Sequence, residues 1–496
     1  MKPELKFAGR ARPGRPRDLV LEPAVIANID NNPDPTAIPI WPLRTGELAQ
    51  WQAERPGIMA AWCRSSGFTA AAGKFVLLPA ETGSLAGVLL GLGELADQPS
   101  DYWVFGTLAS SLPPGRYRIA GELSGGQANH AALAWALAHY RFTRYSGADA
   151  GDSGGRAIAC LSLPEGIDGT ALAAAVKGTF LARDLINTPA SDMGPEELAA
   201  AALALAEEYG GMGTVIVGDD LLAANYPAIH AVGRASPRAP RLIDLRWGAT
   251  DAPRLTLVGK GVCFDTGGLN LKAAAGMLKM KKDMGGAATV LGLAAMVMAA
   301  ALPVRLRVLI PAVENAIAGN AYRPGDVLQT RKALTVEIGN TDAEGRIVLC
   351  DALAAADSEN PDLIIDIATL TGAARVALGP DLPAFFTASD QVAAALVQAG
   401  QEQDDPSWRL PLFAPYGERL KSKVADYNNV SDGPFAGAIT AALFLQAFVS
   451  DPNRWLHIDS YGWNDNDRPG RPAGGEGLAM RALFAMLVAR FGPGPA

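Results

Sequence analysis

From residue 187 onward, short apolar runs alternate with longer helical patterns, and this alternation is the feature that most constrains the fold. The apolar runs predict strands at residues 214–217, 241–247, 254–258, 305–310, 334–338, 363–368 and 455–458. The helical patterns predict helices at residues 196–209, 286–301, 347–358, 392–401, 438–449 and 478–491. Such alternation is typical of a mostly parallel central sheet with helices on both faces. The predicted fold class is therefore α/β.

The part of the chain before residue 165 predicts a second, smaller α/β domain. Its start is rich in proline, and it then carries apolar runs at 75–79, 87–92 and 103–108, a helical pattern at 129–140 and a last strand near 160–163. A chain of 496 residues should hold more than one core, because single cores stop growing near about 250–300 residues. We predict an N-terminal domain at 1–165, a connecting helix at 166–186 and a larger domain at 187–496.

Composition narrows the class of function. A net charge of −8 and an isoelectric point of about 5.2 argue against a general nucleic-acid surface. The four cysteines show no CxxC spacing, which suits a reducing compartment. The uncharged stretch 284–304 is rich in alanine and glycine, and we predict a buried helix there rather than a membrane span. Without an apolar signal segment at the N-terminus, the expected location is the cytoplasm, with no membrane partner.

Two Gly-rich segments about eighty positions apart concentrate charged side chains in turns that follow apolar runs. The residues that carry chemistry are Lys260, Asp265, Lys272, Asp283, Asp342, Glu344 and Arg346. Carboxylates crowded into one site repel each other and need cations between them. The four histidines all lie outside these segments, so a metal site there has to use oxygen ligands, with lysine as a further candidate. The pattern indicates divalent metal ions.

Three candidate loops are expected to meet at one edge of one sheet, because ligands of such sheets bind beyond the carboxyl ends of strands. Each loop follows a predicted strand: Lys260 and Asp265 after 254–258, residues 342–346 after 334–338, and residues 369–372 after 363–368. In a locally extended loop, a spacing of two turns Asp342, Glu344 and Arg346 to one side. We therefore expect these three side chains to share one cavity.

The two segments resemble the signature of the leucyl aminopeptidase family, the dinuclear-zinc M17 exopeptidases. The family writes its site as Gly-Lys-Gly-x-x-Phe-Asp-[Ser/Thr]-Gly-Gly-x-x-x-Lys, then Lys-x-Asp-Met-Gly-Gly, then Asn-Thr-Asp-Ala-Glu-Gly-Arg. All three blocks stand unbroken here. The resemblance covers roughly residue 180 to the C-terminus, whereas the first 160 residues show little that matches. It implies a metal-dependent aminopeptidase that acts on peptides with a free N-terminus.

The resemblance also implies a ligand set for two divalent ions. Asp265, Asp342 and Glu344 would hold one ion, with the backbone oxygen of Asp342 as a further ligand. Lys260, Asp265, Asp283 and Glu344 would hold the other, so Asp265 and Glu344 would bridge the pair. A lysine ligates only when neutral, and two dications in a buried site would lower the pKa of Lys260. Zn²⁺ or Mn²⁺ is expected, and Mg²⁺ and Co²⁺ are also compatible with such ligands.

Two further residues take catalytic roles by the same resemblance. Lys272 would stay charged and polarise the scissile carbonyl. Arg346 would hold a bicarbonate ion that serves as general base, which explains why the site needs no histidine for that task. The free amine of the substrate would ligate the second ion, and this makes the enzyme an exopeptidase.

Substrate contacts are implied for Met280, Thr369 and Gly372, which would line the pocket for the first side chain, and for Leu370, which would offer backbone hydrogen bonds. Here the chain departs from the family, because Tyr461 stands where the usual Asp-Ile-Ala-Gly has alanine. One interpretation is that the ring narrows the pocket and favours small N-terminal residues. The alternative is that it packs under the loop 464–475 and shapes the entrance.

The resemblance further implies a homo-hexamer. Two other functions remain open from the sequence. One is a DNA-binding or structural family member with secondary peptidase activity, against which the acidic isoelectric point and the intact ligand set argue. The other is a different two-metal hydrolase such as a phosphatase, since carboxylate-rich sites also serve phosphate esters. No additional arginine cluster or P-loop supports the latter.

Overall fold

The computed structural model describes residues 28–55, 57–94, 98–146 and 158–492, so the start of the Pro-rich segment lies outside the described residues. The first part forms a six-stranded sheet. Its strands, in order across the sheet, are Ile29–Asp30, Ala159–Ser162, Gly115–Ile119, Ile38–Arg44, Leu85–Gly93 and Phe75–Pro79. Neighbouring strands are parallel except for the last two, which are antiparallel.

Within the described residues, the α-helices that accompany this sheet are Leu48–Glu54, Ile58–Ser65, Phe105–Ser111 and Gly125–Leu137. The apolar run at 103–108 is helical rather than extended, because it joins the 3-10 helix Pro99–Val104 to the helix that follows. The long helix Gly169–Asn187 then leads into the second part of the chain. Asp168 begins this helix by accepting the backbone N–H groups of Thr170 and Ala171.

The second part forms a nine-stranded sheet. Eight strands follow one another across it: Trp408–Arg409, Ala384–Phe386, Trp455–Asp459, Leu363–Ala368, Arg254–Gly259, Arg305–Asn315, Arg241–Trp247 and Met212–Val217. The ninth strand, Gly261–Asp265, pairs with the far end of Arg305–Asn315. The central strands are parallel, and antiparallel pairs occur toward the edges. This arrangement confirms the predicted α/β class with a mostly parallel sheet.

Helices cover both faces of the large sheet. The longer ones are Pro195–Glu208, Pro227–Gly233, Gly285–Ala299, Glu344–Asp357, Gly372–Leu378, Asp390–Glu402, Gly437–Gln446 and Met480–Phe491. Strand side chains alternate between two apolar cores, with Leu257 on one face and Val258 on the other. The helix Gly285–Ala299 is buried along almost its whole length, as predicted. Within the described ranges, every helix is too short or too polar to cross a bilayer.

One predicted strand lies outside the large sheet in which it was expected. The predicted strand 334–338 is the three-residue strand Thr335–Glu337, and it lies in a separate small sheet. It pairs antiparallel with Val327–Gln329 and parallel with Tyr427–Asn428. An apolar run identifies a strand but carries no information about its neighbours, and three residues are too few to cross the large sheet. Asp342 therefore reaches the site from outside the central sheet.

The predicted extended geometry of residues 342–346 is also wrong. Glu344 is the first residue of the helix Glu344–Asp357, so Glu344 and Arg346 both lie in its first turn. A carboxylate at a helix N-terminus is stabilised by the helix dipole, which favours this start. Helical residues two positions apart do not face each other. Glu344 and Arg346 therefore point in different directions.

Candidate active site

A cavity of about 450 Å³ lies beyond the carboxyl ends of the central parallel strands. Every predicted site residue except Arg346 lines this cavity: Lys260, Asp265, Lys272, Met280, Asp283, Asp342, Glu344, Thr369, Leu370, Gly372 and Tyr461. The residues come from segments up to about 200 positions apart. The fold thus brings the two sequence segments and the loop 369–372 together. Asp342 differs from the prediction only in that it reaches the cavity from outside the central sheet.

Asp265 ends the strand Gly261–Asp265, which the sequence patterns did not predict. The chain then reverses through Gly267 at φ 87° and Gly268 at φ 62°, conformations that side chains with a Cβ rarely adopt. Asp265 Oδ1 accepts the N–H of Gly267 at 2.8 Å, so the residue makes an Asx turn as well as lining the cavity. The glycines therefore position this carboxylate at the end of the strand.

Three carboxylates converge closely enough to hold one cation. Asp265, Asp342 and Glu344 each offer an oxygen, and these oxygens lie within 4.8 Å of one another. Asn315 donates to Asp265 Oδ1 at 2.8 Å and thereby fixes its orientation. Glu344 Oε2 is buried and accepts no hydrogen bond from any residue that the structure describes. A buried carboxylate oxygen without a donor is costly, and a metal ion would satisfy it.

Lys260 connects this cluster to a fourth carboxylate. Its Nζ lies 2.8 Å from Asp283 Oδ2 and 2.9 Å from Glu344 Oε1, and it donates to the carbonyl oxygen of Thr369 at 2.9 Å. Burial lowers the pKa of Lys260, but the charges of Asp283 and Glu344 outweigh burial and raise it above its ordinary value. Gly345 leaves the space for this side chain, since a Cβ there would lie 2.7 Å from Lys260 Cε.

Lys272 lies on the other side of the cluster. Its Nζ is 2.8 Å from Asp265 Oδ2 and 2.5 Å from Asp342 Oδ1. Burial lowers its pKa, but Asp265 and Asp342 together raise it, so the side chain remains charged at neutral pH.

The cluster has an excess of negative charge. Burial and, after it, the charge of the neighbouring Asp283 raise the pKa of Asp265 to about 6. Burial also raises the pKa of Glu344 well above its ordinary value, and Asp265 adds to this effect. Four carboxylates against two lysines leave a formal charge of −2. Both shifts indicate a site that divalent cations would stabilise in its ionised form.

Arg346 is buried next to this centre but does not line the cavity. Its Nη1 donates to the carbonyl oxygen of Asn429 at 2.6 Å, and its Nε is buried without a partner among the described residues. Burial lowers the pKa of Arg346 to about 10, so it stays protonated at neutral pH. One donor of the guanidinium therefore remains available for an anion.

The loop 369–372 borders the cavity opposite the carboxylates. Thr369 Oγ1 donates to Asp283 Oδ1 at 2.8 Å. The N–H of Leu370 donates to Asp459 Oδ1 at 3.0 Å, so this group is already engaged. Asp459 also accepts the hydroxyl of Thr371 at 2.6 Å. Asp459 thus fixes the loop, a role that its position at the end of a strand could have suggested.

Three cationic residues at the cavity, Lys279, Lys282 and Arg375, were not assigned a role from the sequence. Lys282 Nζ lies 4.3 Å from the centre of the Tyr461 ring, and Arg375 Cζ lies 5.0 Å from it. Lys282 also donates to the carbonyl oxygen of Tyr461 at 2.7 Å. Lys282 stands inside a recognised motif, but at a position that the motif leaves variable. Arg375 lies outside all three motif blocks, so no local signal marked it.

The fold and the site together define a class: an α/β protein with a carboxylate and lysine centre at the strand ends, an arrangement typical of metal-dependent hydrolases. The chain belongs to the cytosol aminopeptidase family. The sequence model of that family's catalytic domain matches residues 180–484, and the model of the M17 aminopeptidase N-terminal domain matches residues 38–159. The second match extends the family relation to the part of the chain where motifs alone showed little.

Individual relatives agree with this membership. The chain is 45% identical over 314 residues to a probable cytosol aminopeptidase of Syntrophotalea carbinolica, which covers 62% of this chain and 63% of that protein. It is 44% identical over 320 residues to peptidase B of Pectobacterium carotovorum, covering 62% and 72%. The match to the Syntrophotalea protein therefore spans just under two thirds of that relative's length.

Solved structures share the fold over nearly the whole chain. The cytosol aminopeptidase from Coxiella burnetii superposes with a TM-score of 0.88 at 50% identity, covering 94% of this chain and 100% of that one. The bottromycin maturation enzyme BotP, solved in complex with Mn, superposes with a TM-score of 0.82 at 34% identity, covering 91% and 99%.

Proposed function

We propose that the protein is a metal-dependent aminopeptidase that releases N-terminal amino acids from peptides. One observation carries this proposal: the oxygens of Asp265, Asp342 and Glu344 converge within 4.8 Å, and Glu344 Oε2 is buried without a hydrogen-bond donor among the described residues. Membership of the cytosol aminopeptidase family supports the same activity.

Two divalent ions fit this donor set. Asp265, Asp342 and Glu344 would hold the first, and Lys260 and Asp283 would join Asp265 and Glu344 around the second. When bound, such ions supply Lewis-acid activation of the carbonyl and of a water molecule. Lys260 Nζ lies within 2.9 Å of oxygens of Asp283 and Glu344, so it is placed to join them as a ligand once it has lost its proton. Zn²⁺ or Mn²⁺ is the expected metal, with Mg²⁺ and Co²⁺ as alternatives.

Lys272 and Arg346 would assist the reaction without binding metal. Lys272 is held charged beside Asp265 and Asp342, which suits it to polarise the scissile carbonyl. The buried Nε of Arg346 supports binding of a planar anion such as bicarbonate, because a guanidinium presents a forked set of donors. A bicarbonate held there would serve as general base.

The first side chain of the substrate would contact Met280, Thr369, Gly372 and Tyr461, and Leu370 would contact the substrate backbone. The Tyr461 ring lines the cavity and lies against two cations, which supports a position in the pocket rather than beneath the loop 464–475. A ring in place of a methyl group narrows the pocket, so small N-terminal residues should be favoured over leucine.

Assembly, location and domain division complete the proposal. A homo-hexamer is consistent with the strong exposure of Leu278, Val376 and Phe435, which are apolar.

The names of the cytosol aminopeptidase relatives and four free cysteines support a cytoplasmic location. The two separate large sheets support domains at 1–165 and 187–496, joined by the segment 166–186.

The test is a panel of aminoacyl p-nitroanilides, assayed after metal removal and again after addition of Zn²⁺, Mn²⁺, Co²⁺ or Mg²⁺. Hydrolysis that disappears with the metal and returns with at least one ion is expected. p-Nitrophenyl phosphate in parallel separates this activity from that of a phosphatase. Hydrolysis of the phosphate ester but of no aminoacyl substrate would reject the proposal.

A further inference from the structure

A hairpin in the second part of the chain reaches from the active-site cavity to the first part. Its two short strands, Trp463–Asn464 and Gly474–Gly475, pair antiparallel. We call residues 463–475 the hairpin. Its base follows Tyr461, which lines the active-site cavity, and its turn lies against Trp103 of the first part. The hairpin therefore connects the two parts of the chain beside the proposed active site.

The turn of the hairpin is fixed on Trp103. The Nε1 of Trp103 donates to Asp404 Oδ2 at 2.6 Å, and Arg471 donates to the same oxygen at 2.8 Å. The Arg471 guanidinium also lies 4.2 Å from the centre of the indole ring, which attracts cations. Gly470 adopts φ 68° beside the ring, and a Cβ there would lie 2.7 Å from it. Trp103 is only 8% exposed, so water does not compete strongly for these contacts.

The base of the hairpin forms part of the wall of the active-site cavity. Asp465 pairs with Lys279, which lines that cavity. Lys279 Nζ and Lys281 Nζ lie 5.9 Å and 5.7 Å from the centre of the Trp463 ring. The hairpin is thus joined to the segment that leads into Asp283. A displaced hairpin would release Lys279 from Asp465 and change the shape of the cavity wall.

Between its turn and its base, the hairpin borders a second cavity. This cavity has a volume of about 820 Å³, and its lining includes Tyr140 from the first part and Lys281 and Trp463 from the second. The first part therefore supports the hairpin mainly at the turn. Arg183 provides another anchor there, because it donates to the carbonyl oxygen of Gly470 at 2.8 Å. Loss of Trp103 should accordingly loosen the hairpin rather than release it.

We infer that Trp103 is a positioning residue for peptide hydrolysis: it holds the turn of the hairpin, and the base of the hairpin thereby fixes Lys279 at the cavity wall. This inference rests on the proposed aminopeptidase function. The carboxylates of the cluster are oriented by residues outside the hairpin, as Asn315 orients Asp265, so loss of Trp103 should leave the metal centre intact. Substrate binding should weaken instead, because a less ordered wall must be ordered when the peptide binds.

The experiment measures kcat and KM for alanyl p-nitroanilide with the metal-loaded W103A and W103F proteins. W103A should raise KM about five- to tenfold, as expected for the loss of one hydrogen bond that orders the wall. Its kcat should stay within about twofold of the wild-type value, because the metal centre is unchanged. W103F keeps a ring for Arg471 but has no N–H group for Asp404, so KM should rise less. Metal content should equal that of the wild-type protein.

Matched controls separate positioning from folding. W62A changes a tryptophan of the first part that is 49% exposed, and KM should stay unchanged. G470A keeps Trp103 but places a Cβ against its ring, so KM should rise as in W103A. Gly83 is also a turn glycine, with φ 82° and open space around its Cβ position, so G83A should have no such effect. A thermal melt of each variant reports on folding.

D465N tests the route by which Trp103 acts. It removes the partner of Lys279 at the base of the hairpin, so it should raise KM by itself. The effects of W103F and D465N should not multiply in the double variant, because both act on the same lysine. Effects that multiply would show that Trp103 acts by another route, and the inference would be wrong.

A wild-type KM in both W103A and G470A, accompanied only by a lower melting temperature, would also overturn the inference. The contact at Trp103 would then hold the two parts of the chain together without influencing the cavity. Such a result would leave the aminopeptidase proposal intact. Inactivity of the wild-type protein toward every aminoacyl substrate would reject both.

Discussion

The two ends of the active-site cavity differ in how they treat charge. At one end, four carboxylates surround two lysines, and a formal charge of −2 remains. At the other end, Lys282 and Arg375 lie over an uncharged ring, and neither has a carboxylate within ion-pair distance in the described part of the chain. One end is therefore suited to cations, whereas the other carries cationic side chains of its own. The difference separates the proposed metal centre from the proposed contacts with the substrate side chain.

The two ends of the cavity also differ in how deeply their side chains are buried. Lys260, Asp265 and Glu344 are almost completely buried, with relative exposures of 2%, 2% and 1%. Arg375 is exposed at the mouth of the cavity. Electrostatic interactions are stronger where water is excluded. Changes at the carboxylate end should therefore have larger effects than changes at the cationic end.

The largest effect is expected for Glu344→Ala, which removes a carboxylate shared by both proposed ions. Activity should fall by about a thousandfold or more, because bound ions stabilise the transition state by several kcal/mol. Metal content, measured by mass spectrometry, should fall with it. Glu418→Ala is the control, since Glu418 is exposed and pairs with Lys421. An active Glu344→Ala protein with full metal content would contradict the ligand assignment.

Arg346→Ala should reduce turnover by about a hundredfold, the usual range for loss of general base catalysis. Metal content should stay unchanged, because the guanidinium contacts the carbonyl oxygen of Asn429 rather than a carboxylate of the cluster. Added bicarbonate should not fully restore the rate. If the variant loses its metal, Arg346 supports the cluster itself and the proposed role is wrong.

Gly345→Ala tests how tightly the negative end is packed. The new Cβ would lie 2.7 Å from Lys260 Cε and 2.8 Å from Lys260 Nζ, and three hydrogen-bonding partners restrain that side chain. Displacement of Lys260 should cost about 10- to 100-fold in activity. Gly319→Ala is the control, because nothing lies within 4 Å of its Cβ position. Equal activity of both variants would show that the position of Lys260 is not critical.

The smallest effect is expected at the cationic end. Tyr461→Ala should shift the ratio of kcat/KM for leucyl over alanyl substrates upward by about tenfold, since one or two methylenes are worth about 1–3 kcal/mol in such pockets. Tyr416→Ala, which changes a tyrosine outside the cavity, is the matched control. An unchanged ratio in Tyr461→Ala would mean that the ring does not define the pocket.

Much of the site could be predicted because its residues stand in contiguous motifs. Asp265 and its two glycines form a turn whose conformation is local, so the sequence alone indicates it. The buried helix that follows Asp283 was also predictable, because its residues are small or apolar and carry no charge. In both cases the physical cause lies within a few residues of the feature.

The remaining features depend on contacts that are distant in sequence. The strand Thr335–Glu337 could not be assigned to its sheet, because its partners lie about 10 and 90 residues away. The side chains of Glu344 and Arg346 diverge because a helix begins at Glu344. A spacing of two residues is compatible with an extended loop as well as with the first turn of a helix, so the sequence does not decide between them. Lys282 and Arg375 are 93 positions apart and meet at the ring of Tyr461, and no local pattern marks such a grouping.

In the proposed function, the carboxylate end holds two metal ions, and peptide hydrolysis requires them. The most direct measurement is a titration of metal-free protein with Mn²⁺ or Zn²⁺, in which bound ions per chain and hydrolysis of alanyl p-nitroanilide are followed together. We expect two bound ions per chain and activity that appears as the sites fill. Full activity in the metal-free protein, or a cluster that binds no ion, would contradict it.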